Sequence, residues 1–243
     1  MDLSNRNIVI TGGTSGIGLE LVRRLQDQNH LFVIARNAAR LDHLRSQFPG
    51  IMTCRADLAS SNDLAHAAAE ARARFERIDV LLNNAAIQYM QHFTEPEFEP
   101  TSIEREIAIN FTAVFTLCAR LLPAMIHEGR AAIVNVNSGL ALVPKTSSAV
   151  YCATKGAMNI FSQALRYQLA PTNVRVQQAF MPLVDTPMTA GRGAHKMSAH
   201  EAADALLRGI SRGIDDHDIG KVRLLRVLMR FLPGLARKIM RDA

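Results

Sequence analysis

Six short runs of β-branched and other apolar residues punctuate the chain: Asn7–Thr11, Leu31–Ala35, Ile51–Cys54, Asp79–Asn83, Ala131–Val136 and Val174–Ala179. Each is nearly continuous rather than alternating, the pattern of a strand covered on both faces. The intervals between them leave room for helices, and several carry helical signals. Leu19–Gln26 follows a glycine-rich turn, and Ser61 precedes the Ala-rich stretch Asn62–Arg77. Glu104–Met125 and Tyr151–Leu169 place apolar residues at helical spacing, and Ser198 with Glu201 forms a capping-box signature opening Ala199–Arg212. Strand followed by helix, repeated along the chain, permits few architectures. Parallel neighbours need crossovers, and the crossover helices must cover the sheet, so an α/β fold with a doubly wound parallel sheet and helices on both faces is expected. With 243 residues and no repeat or low-complexity linker, 1–243 reads as a single domain. Within it, 187–213, which holds Gly191 and Gly193, reads as a substrate loop or lid, and 221–241 as a basic helical segment.

The net charge of +6 is local. Lys221 to Arg241 holds seven basic residues and no acidic one, whereas residues 1–220 hold 21 of each sign. A neutral body without aromatic interleaving of its basic residues gives no nucleic-acid interface. The basic segment also carries Leu, Met, Ile and Phe, and Pro233 divides it. Such a segment can dock its apolar face on its own domain, pack on another subunit, or touch an anionic membrane peripherally. No uninterrupted run of about 18 apolar residues occurs, so no membrane span is expected. A strand-like run within the first ten residues leaves no room for a signal peptide. Cys54, Cys118 and Cys152 have neither metal-ligand spacing nor the even count of a disulfide framework, so no metal is expected and the location reads as cytoplasmic.

Between the first strand and the first helix lies Thr11-Gly12-Gly13-Thr14-Ser15-Gly16-Ile17-Gly18. Glycines let the backbone turn sharply and approach a pyrophosphate, and the helix N-terminus offers free N–H donors with partial positive charge. A tight strand-to-helix turn with no ligand uses similar residues, but this strand–turn–helix context is the one a dinucleotide site requires. The spacing Gly12-x3-Gly16-x-Gly18 differs by one residue from G-x-G-x-x-G. After the second strand, where a carboxylate would bond the ribose 2′-hydroxyl of NAD, the chain has Arg36. A guanidinium pairs with a 2′-phosphate, so NADP(H) is expected as the preferred cofactor, with NAD(H) as the second choice; the bland alternative is a solvated loop arginine.

Tyr151 and Lys155 are four residues apart in an expected helix and share one face. Free tyrosine is roughly 0.1% ionised at pH 7. A fixed ammonium about 4 Å away at an effective dielectric of about 20 supplies about 4 kcal/mol, enough to move the phenol by about three pH units before desolvation is counted. Alone, Tyr-x-x-x-Lys is uninformative, because a snorkelling lysine beside an amphipathic ring gives the same pattern.

Taken together, these motifs resemble the short-chain dehydrogenase/reductase family over essentially the whole chain. Gly12, Gly16 and Gly18 meet its glycine motif, Asp57 its aspartate after the third strand, and Asn83-Asn84-Ala85-Ala86 its Asn-Asn-Ala-Gly motif. Asn110 matches its helix-kinking asparagine, Ser138 its catalytic serine, and Tyr151-Cys-Ala-Thr-Lys155 its tyrosine–lysine pair. The opening Thr-Gly-Gly-Thr-Ser-Gly-Ile-Gly-Leu-Glu, Asn135–Leu140 and Val184-Asp-Thr186 are similar to a narrower group, the DltE-like oxidoreductases.

The resemblance implies a single-domain Rossmann-type fold, usually a homodimer or homotetramer, and an NADP(H)-dependent oxidoreductase moving hydride between nicotinamide and a small-molecule carbonyl or alcohol, without a metal. Tyr151 would be general acid in reduction and base in oxidation. Lys155 would lower its pKa and bond the nicotinamide ribose, Ser138 would bond the substrate oxygen, and Asn110 would hold a relay water. The cofactor would contact Gly12, Thr14, Ser15, Gly16, Ile17, Gly18, Arg36, Asp57, Leu58, Asn84, Ala85, Ala86, Tyr151, Lys155, Val184 and Thr186. Leu140, Ala141, Leu142, Tyr89, Met90 and the loop after Thr186 would line a hydrophobic substrate pocket. The chain departs from the family at Ala86, in place of glycine, and at Met181-Pro182-Leu183-Val184-Asp185-Thr186, where many members have Pro-Gly-x-Val-x-Thr. A catalytically silent dinucleotide sensor is the alternative of a different class, and retention of Asn110, Ser138, Tyr151 and Lys155 argues against it.

Overall fold

In a computed structural model, which describes residues 1–241, nine strands form in chain order. They are β1 (Asn7–Thr11), β2 (His30–Ala35), β3 (Met52–Arg55), β4 (Val80–Asn83), β5 (Ala131–Ser138), β6 (Val174–Met181), β7 (Val184–Asp185), β8 (Met197–Ser198) and β9 (Asp216–Asp218). Seven make one parallel sheet in the order β3-β2-β1-β4-β5-β6-β9, while β7 and β8 pair with each other. The helices are α1 (Gly16–Leu25), α2 (Ala38–Gln47), α3 (Ser61–Arg74), α4 (Thr101–Ile107), α5 (Ala113–Met125), α6 (Ala149–Leu169), α7 (Ala199–Arg212), α8 (Val222–Phe231) and α9 (Pro233–Arg241).

The apolar runs form strands because the sheet is covered twice. Val9, Phe32, Ile34, Leu81 and Ile133 point into a core shared with α3, α5 and α6. Their neighbours Ile8, Ile10, Leu31, Val33 and Leu82 point the other way, into a core shared with α1, α2 and α7. Successive side chains alternate faces, so a strand with two dry faces must be apolar throughout. The order reverses between β1 and β4, and at such a switch point the loops leaving neighbouring strands diverge and open a crevice at their carboxyl ends.

Several boundaries differ from the sequence expectations for local reasons. Ser60, not Ser61, caps α3, its hydroxyl accepting from the amide of Asp63, and the helix ends at Arg74 because Phe75 turns into the core. Gly16 already belongs to α1, so the glycine turn supplies the helix's first turn. Glu104–Met125 is longer and not continuous: α4 starts at Thr101 and passes through a π turn, Ala108–Thr112, into α5. By length and composition Thr101–Met125 is apolar enough to cross a membrane, although it contains no uninterrupted apolar run. In the fold it is a core helix whose Val114, Leu117, Leu121 and Met125 are buried.

The segment 187–213 divides. Only 187–197 is loop-like, and it contains a 3-10 turn at Pro187–Thr189. From Ala199 onward it is a body helix, with Ala202, Ala203, Leu206 and Ile210 buried and Arg24 of α1 paired to Asp204. The expected capping box is present: Ser198 accepts from the amide of Glu201, and the Glu201 carboxylate accepts from that of Ser198. The edge strand β9 is Asp-His-Asp, a polar sequence with no strand signal of its own, and its pairing with Gln178–Phe180 of β6 creates it.

Candidate active site

The glycine turn is shaped by close approach. Gly12 has φ +72°, and a Cβ there would lie 2.9 Å from the Cα of Ala85. At Gly18 a Cβ would come within 2.1 Å of the Gly12 carbonyl oxygen, so the turn closes only around a residue without a side chain. The exit of β4 is stitched to this turn. The Thr11 hydroxyl accepts from the amides of Asn84 and Ala85, both at 3.1 Å, and the Asn84 side chain donates to the carbonyls of Thr11 and Gly12 at 3.1 and 3.2 Å. Ser15 stands before α1 with no capping hydrogen bond from its side chain. Backbone N–H groups at a helix start, kept free of Cβ atoms, fit the pyrophosphate of a dinucleotide.

A cavity of about 520 Å³ opens at this turn. Gly12, Ser15, Gly16, Ile17, Asn84, Ala85 and Ala86 line it together with Ser138, Tyr151, Lys155, Val184 and Thr186. The remaining expected residues lie outside the lining. Gly18 packs against the Gly12 carbonyl inside the turn, Thr14 lies within the same turn, and Leu58 is part of the core. Arg36 is exposed beyond β2, with no carboxylate in its place. Asp57 is half-buried; burial opposes its ionisation, but hydrogen bonds from Arg105 at 2.8 Å and from the amide of Ala59, with the charges of Arg105 and Arg36, hold its carboxyl below the usual value. Thr186 packs over Gly16, and its amide donates to the Thr189 hydroxyl at 3.2 Å.

The catalytic candidates come from three elements. Ser138 ends β5, and its hydroxyl accepts from the amide of Leu140. Tyr151 and Lys155 lie one turn apart on α6, both buried. A line of buried amides sets α6 against the sheet: Asn83 donates to Asn135 and Asn135 to Ser162 of α6, each at 2.9 Å. Asn110 occupies the π turn, fully buried, and clasps the backbone of Ile87: it accepts from the amide at 2.9 Å and donates to the carbonyl at 2.8 Å. It also donates to Thr154 of α6 at 3.4 Å.

The electrostatics correct one expectation. The Lys155 ammonium donates to the Val136 carbonyl at 2.9 Å and stands 5.6 Å from the centroid of the Tyr151 ring. The Tyr151 phenol is pushed up, not down, by burial and then by Cys152 and Glu106, against the opposing effects of the Ser138 hydroxyl and the Arg192 charge. Burial also pushes Lys155 down to about 8, with the charge of Glu106 acting the other way. Burial is the largest of these effects on the phenol.

Glu106 is the residue the sequence argument missed. It is 1% exposed, accepts from the amide of Tyr89 at 3.2 Å, and is pushed up to about 7 by burial, against the Tyr89 hydrogen bond and Lys155. Its signal was available: it lies one turn before Asn110 and shares that residue's inward face. Gln88 and Arg192 were missed without any signal. Arg192 donates to Gln88 at 2.7 Å, and Gln88 to Ser148 at 2.8 Å, joining the 187–197 loop to the start of α6. Of the expected substrate-lining residues, Leu140 and Pro187, Met188, Thr189 and Arg192 of the loop line the cavity, while Tyr89, Met90, Ala141 and Leu142 lie outside its lining. Val222 and Leu225 of α8 and Met240 of α9 close it from a quarter the sequence did not point to.

Elsewhere, ligand atoms of Cys54, His66 and Glu70 lie within 4.8 Å of one another, a grouping that sequence spacing did not reveal. Burial, with Glu70 nearby, pushes the Cys54 thiol up to about 12.

The chain matches the short chain dehydrogenase family over residues 6–197. It is 35% identical over 233 residues to an uncharacterized oxidoreductase, DltE, of Bacillus subtilis, covering 93% of this chain and 92% of that one. An L-xylulose reductase of Mesocricetus auratus is 32% identical over 77% of this chain and 75% of its own. Among solved structures, a short chain dehydrogenase from Burkholderia cenocepacia in complex with NADP superposes with a TM-score of 0.89 at 25% identity, covering both chains completely. One from Sphingobium yanoikuyae with NADPH gives 0.80 at 30% identity, over 97% of this chain and 95% of that one. Glycine turn, clasped asparagine and serine–tyrosine–lysine cavity on a doubly wound sheet, matched over this length, show that the chain belongs to the short chain dehydrogenase family, oxidoreductases that act on CH–OH and carbonyl groups with NAD(P).

Proposed function

We propose that this chain reduces hydrophobic carbonyl compounds, and oxidises the corresponding alcohols, with NADP(H) in preference to NAD(H) and with Tyr151 as general acid and base. The observation that carries this reading is the convergence of Ser138, Tyr151, Lys155 and the glycine turn on one cavity. Met181, Pro182, Leu183, Val222, Leu225 and Met240 give that cavity apolar walls, which favour an apolar substrate body. NADP(H), when bound, supplies or accepts the hydride.

The protein's part is a proton and a field. With its phenol pushed up by burial, Tyr151 is in the proton-donating form that carbonyl reduction needs. Ser138, which favours the phenolate of Tyr151, is placed to donate to the substrate oxygen as negative charge builds there. Lys155, charged below about pH 8, adds a buried cation beside the same ring. Asn110 fixes the loop at Ile87 against α6 and so holds the cavity wall in register.

Arg36 and the absence of a carboxylate after β2 support NADP(H), as do the NADP and NADPH bound by the Burkholderia and Sphingobium structures. Ile160 and Tyr167, exposed on α6, support a homo-oligomer through that helix. The test follows NADPH oxidation against medium and large hydrophobic aldehydes and ketones, with Tyr151→Phe as the blank. Turnover should vanish in the variant while NADPH still binds; a variant that retains substantial turnover refutes the role of Tyr151. Arg36→Ala should weaken NADPH binding by about 10- to 100-fold, the value of a charge-assisted hydrogen bond, and leave NADH unchanged. Tighter NADH binding by the wild type would refute the cofactor assignment.

A further inference from the structure

The hairpin of α8 and α9 has three faces with different tasks. One holds it to the body: Val222 packs beside Gly139, Ala236 is fully buried, and Arg226 pairs with Asp218 through Nε and Nη2 while lying 4.8 Å from the Phe180 ring centroid. The Arg241 carbonyl accepts from Thr146 at 2.8 Å. A second face, Leu225 and Met240, walls the catalytic cavity. The third faces outward and is apolar: Leu224, Val227 and Phe231 on α8, with Leu232, Leu235 and Ile239 following. Phe231 is 70% and Leu224 62% exposed, so this row is not satisfied by the domain itself.

The expectation of a helix that simply docks its apolar side on the body accounts for Val222 and Ala236 and leaves these six side chains in water. Around them stand Arg230, Arg237 and Lys238, exposed and, among the described residues, without an acidic partner. From Lys221 to Arg241 there is no acidic side chain at all. A second copy seated on this face would bring the two sets of cations together, a like-charge contact that opposes pairing. Helices of ten and nine residues are only about 15 Å long, half the thickness of a hydrocarbon core, so the hairpin is too short to span. Short cationic helices with an exposed apolar row suit the interface plane of a bilayer, apolar side chains among the acyl chains and cations at the headgroups.

We propose that the α8–α9 hairpin is a peripheral docking surface for anionic membranes. It places a wall of the catalytic cavity at the lipid–water boundary. The docking itself is independent of which reaction the cavity performs, and its test does not use turnover.

The full-length protein would be floated with vesicles of phosphatidylcholine alone and with vesicles containing phosphatidylglycerol, in low and high salt. Binding is expected to the anionic vesicles only, weakening as salt screens the headgroups. Each cation near an anionic surface is worth about fivefold in partitioning, so Arg230→Gln with Arg237→Gln and Lys238→Gln should lower it by about 100-fold. Leu224→Gln with Phe231→Gln, both away from the cavity lining, should lower it as well, with NADPH binding retained as the check on folding. Equal binding to neutral vesicles, or none to either kind, overturns the proposal. So does an oligomer in gel filtration that falls apart in the Leu224→Gln/Phe231→Gln variant, which would make a second copy the occupant of this face.

Discussion

Replacing Glu106 by Gln should stabilise the protein at pH 8 while damaging the site it supports. The carboxyl is almost wholly buried, and it titrates at about 7 instead of the ordinary 4.5 because burial outweighs the Tyr89 amide and the Lys155 charge. A carboxyl whose folded pKa lies above its unfolded one binds more protons folded than unfolded between the two values. Its ionisation therefore costs stability, with no cost below pH 4.5, a growing cost from there to pH 7, and the full cost above it. The interval from 4.5 to about 7 corresponds to about 3 kcal/mol, net of the attraction to Lys155. Gln keeps the acceptor for the Tyr89 amide and carries no charge, so Glu106→Gln should recover most of that cost above pH 7 and none at pH 5. For a chain of this length about 3 kcal/mol corresponds to about 6–12 °C in Tm. Thermal unfolding of both proteins from pH 5 to pH 8 reads the effect directly: the curves should coincide at the acid end and separate as pH rises. The catalytic counterpart has the opposite sign. Lys155, held near 8 with Glu106 opposing the effect of burial, should lose its proton at lower pH in the variant, moving the alkaline limb of the rate profile downward. Stability profiles that run parallel, or a variant less stable at pH 8, would refute the account of Glu106 as a buried charge.

Gly12→Ala forces a side chain into a left-handed backbone and against Ala85, so NADPH affinity by fluorescence titration should fall at least about 10-fold, with the backbone strain alone costing about 1–2 kcal/mol. Asn110→Leu strips both partners from the Ile87 backbone; two buried groups left unpaired cost about 1–3 kcal/mol each, visible in urea unfolding, and turnover should fall with them. Ser198→Ala removes half of the capping box before α7, costing about 1 kcal/mol or about 2–4 °C in Tm, and should leave NADPH affinity unchanged.

The fold was legible because its signal is redundant. Strands covered on both faces must be apolar along their length, so β1, β2 and β4 announce themselves, and helix-length intervals dictate their parallel arrangement. Short polar elements carry no such mark: Asp-His-Asp becomes β9 only because β6 offers an open edge. The site was legible where chemistry demands a residue type at fixed spacing, as in the glycine turn and the pair on α6. It was illegible where three-dimensional burial decides the outcome. Spacing alone put an ammonium beside the Tyr151 hydroxyl and an ionised phenol with it, whereas the fold turns that ammonium to the Val136 carbonyl and burial pushes the phenol up. Gln88, Arg192 and the α8–α9 wall reach the cavity from distant parts of the chain, and no local pattern foretells such meetings.

The reversal of strand order between β1 and β4 also partitions the labour of the protein. Arg36 follows β2 on one side of the crevice, while Ser138, Tyr151 and Lys155 belong to β5 and α6 on the other. On the proposed function the two sides would share only the cofactor itself, and substitutions with no other shared partner combine almost additively. Selection can therefore retune which dinucleotide is admitted through the first half, and which carbonyl is accepted through the second, without either change undoing the other. A chain built on this switch point evolves as two nearly independent cassettes that meet only where hydride would cross.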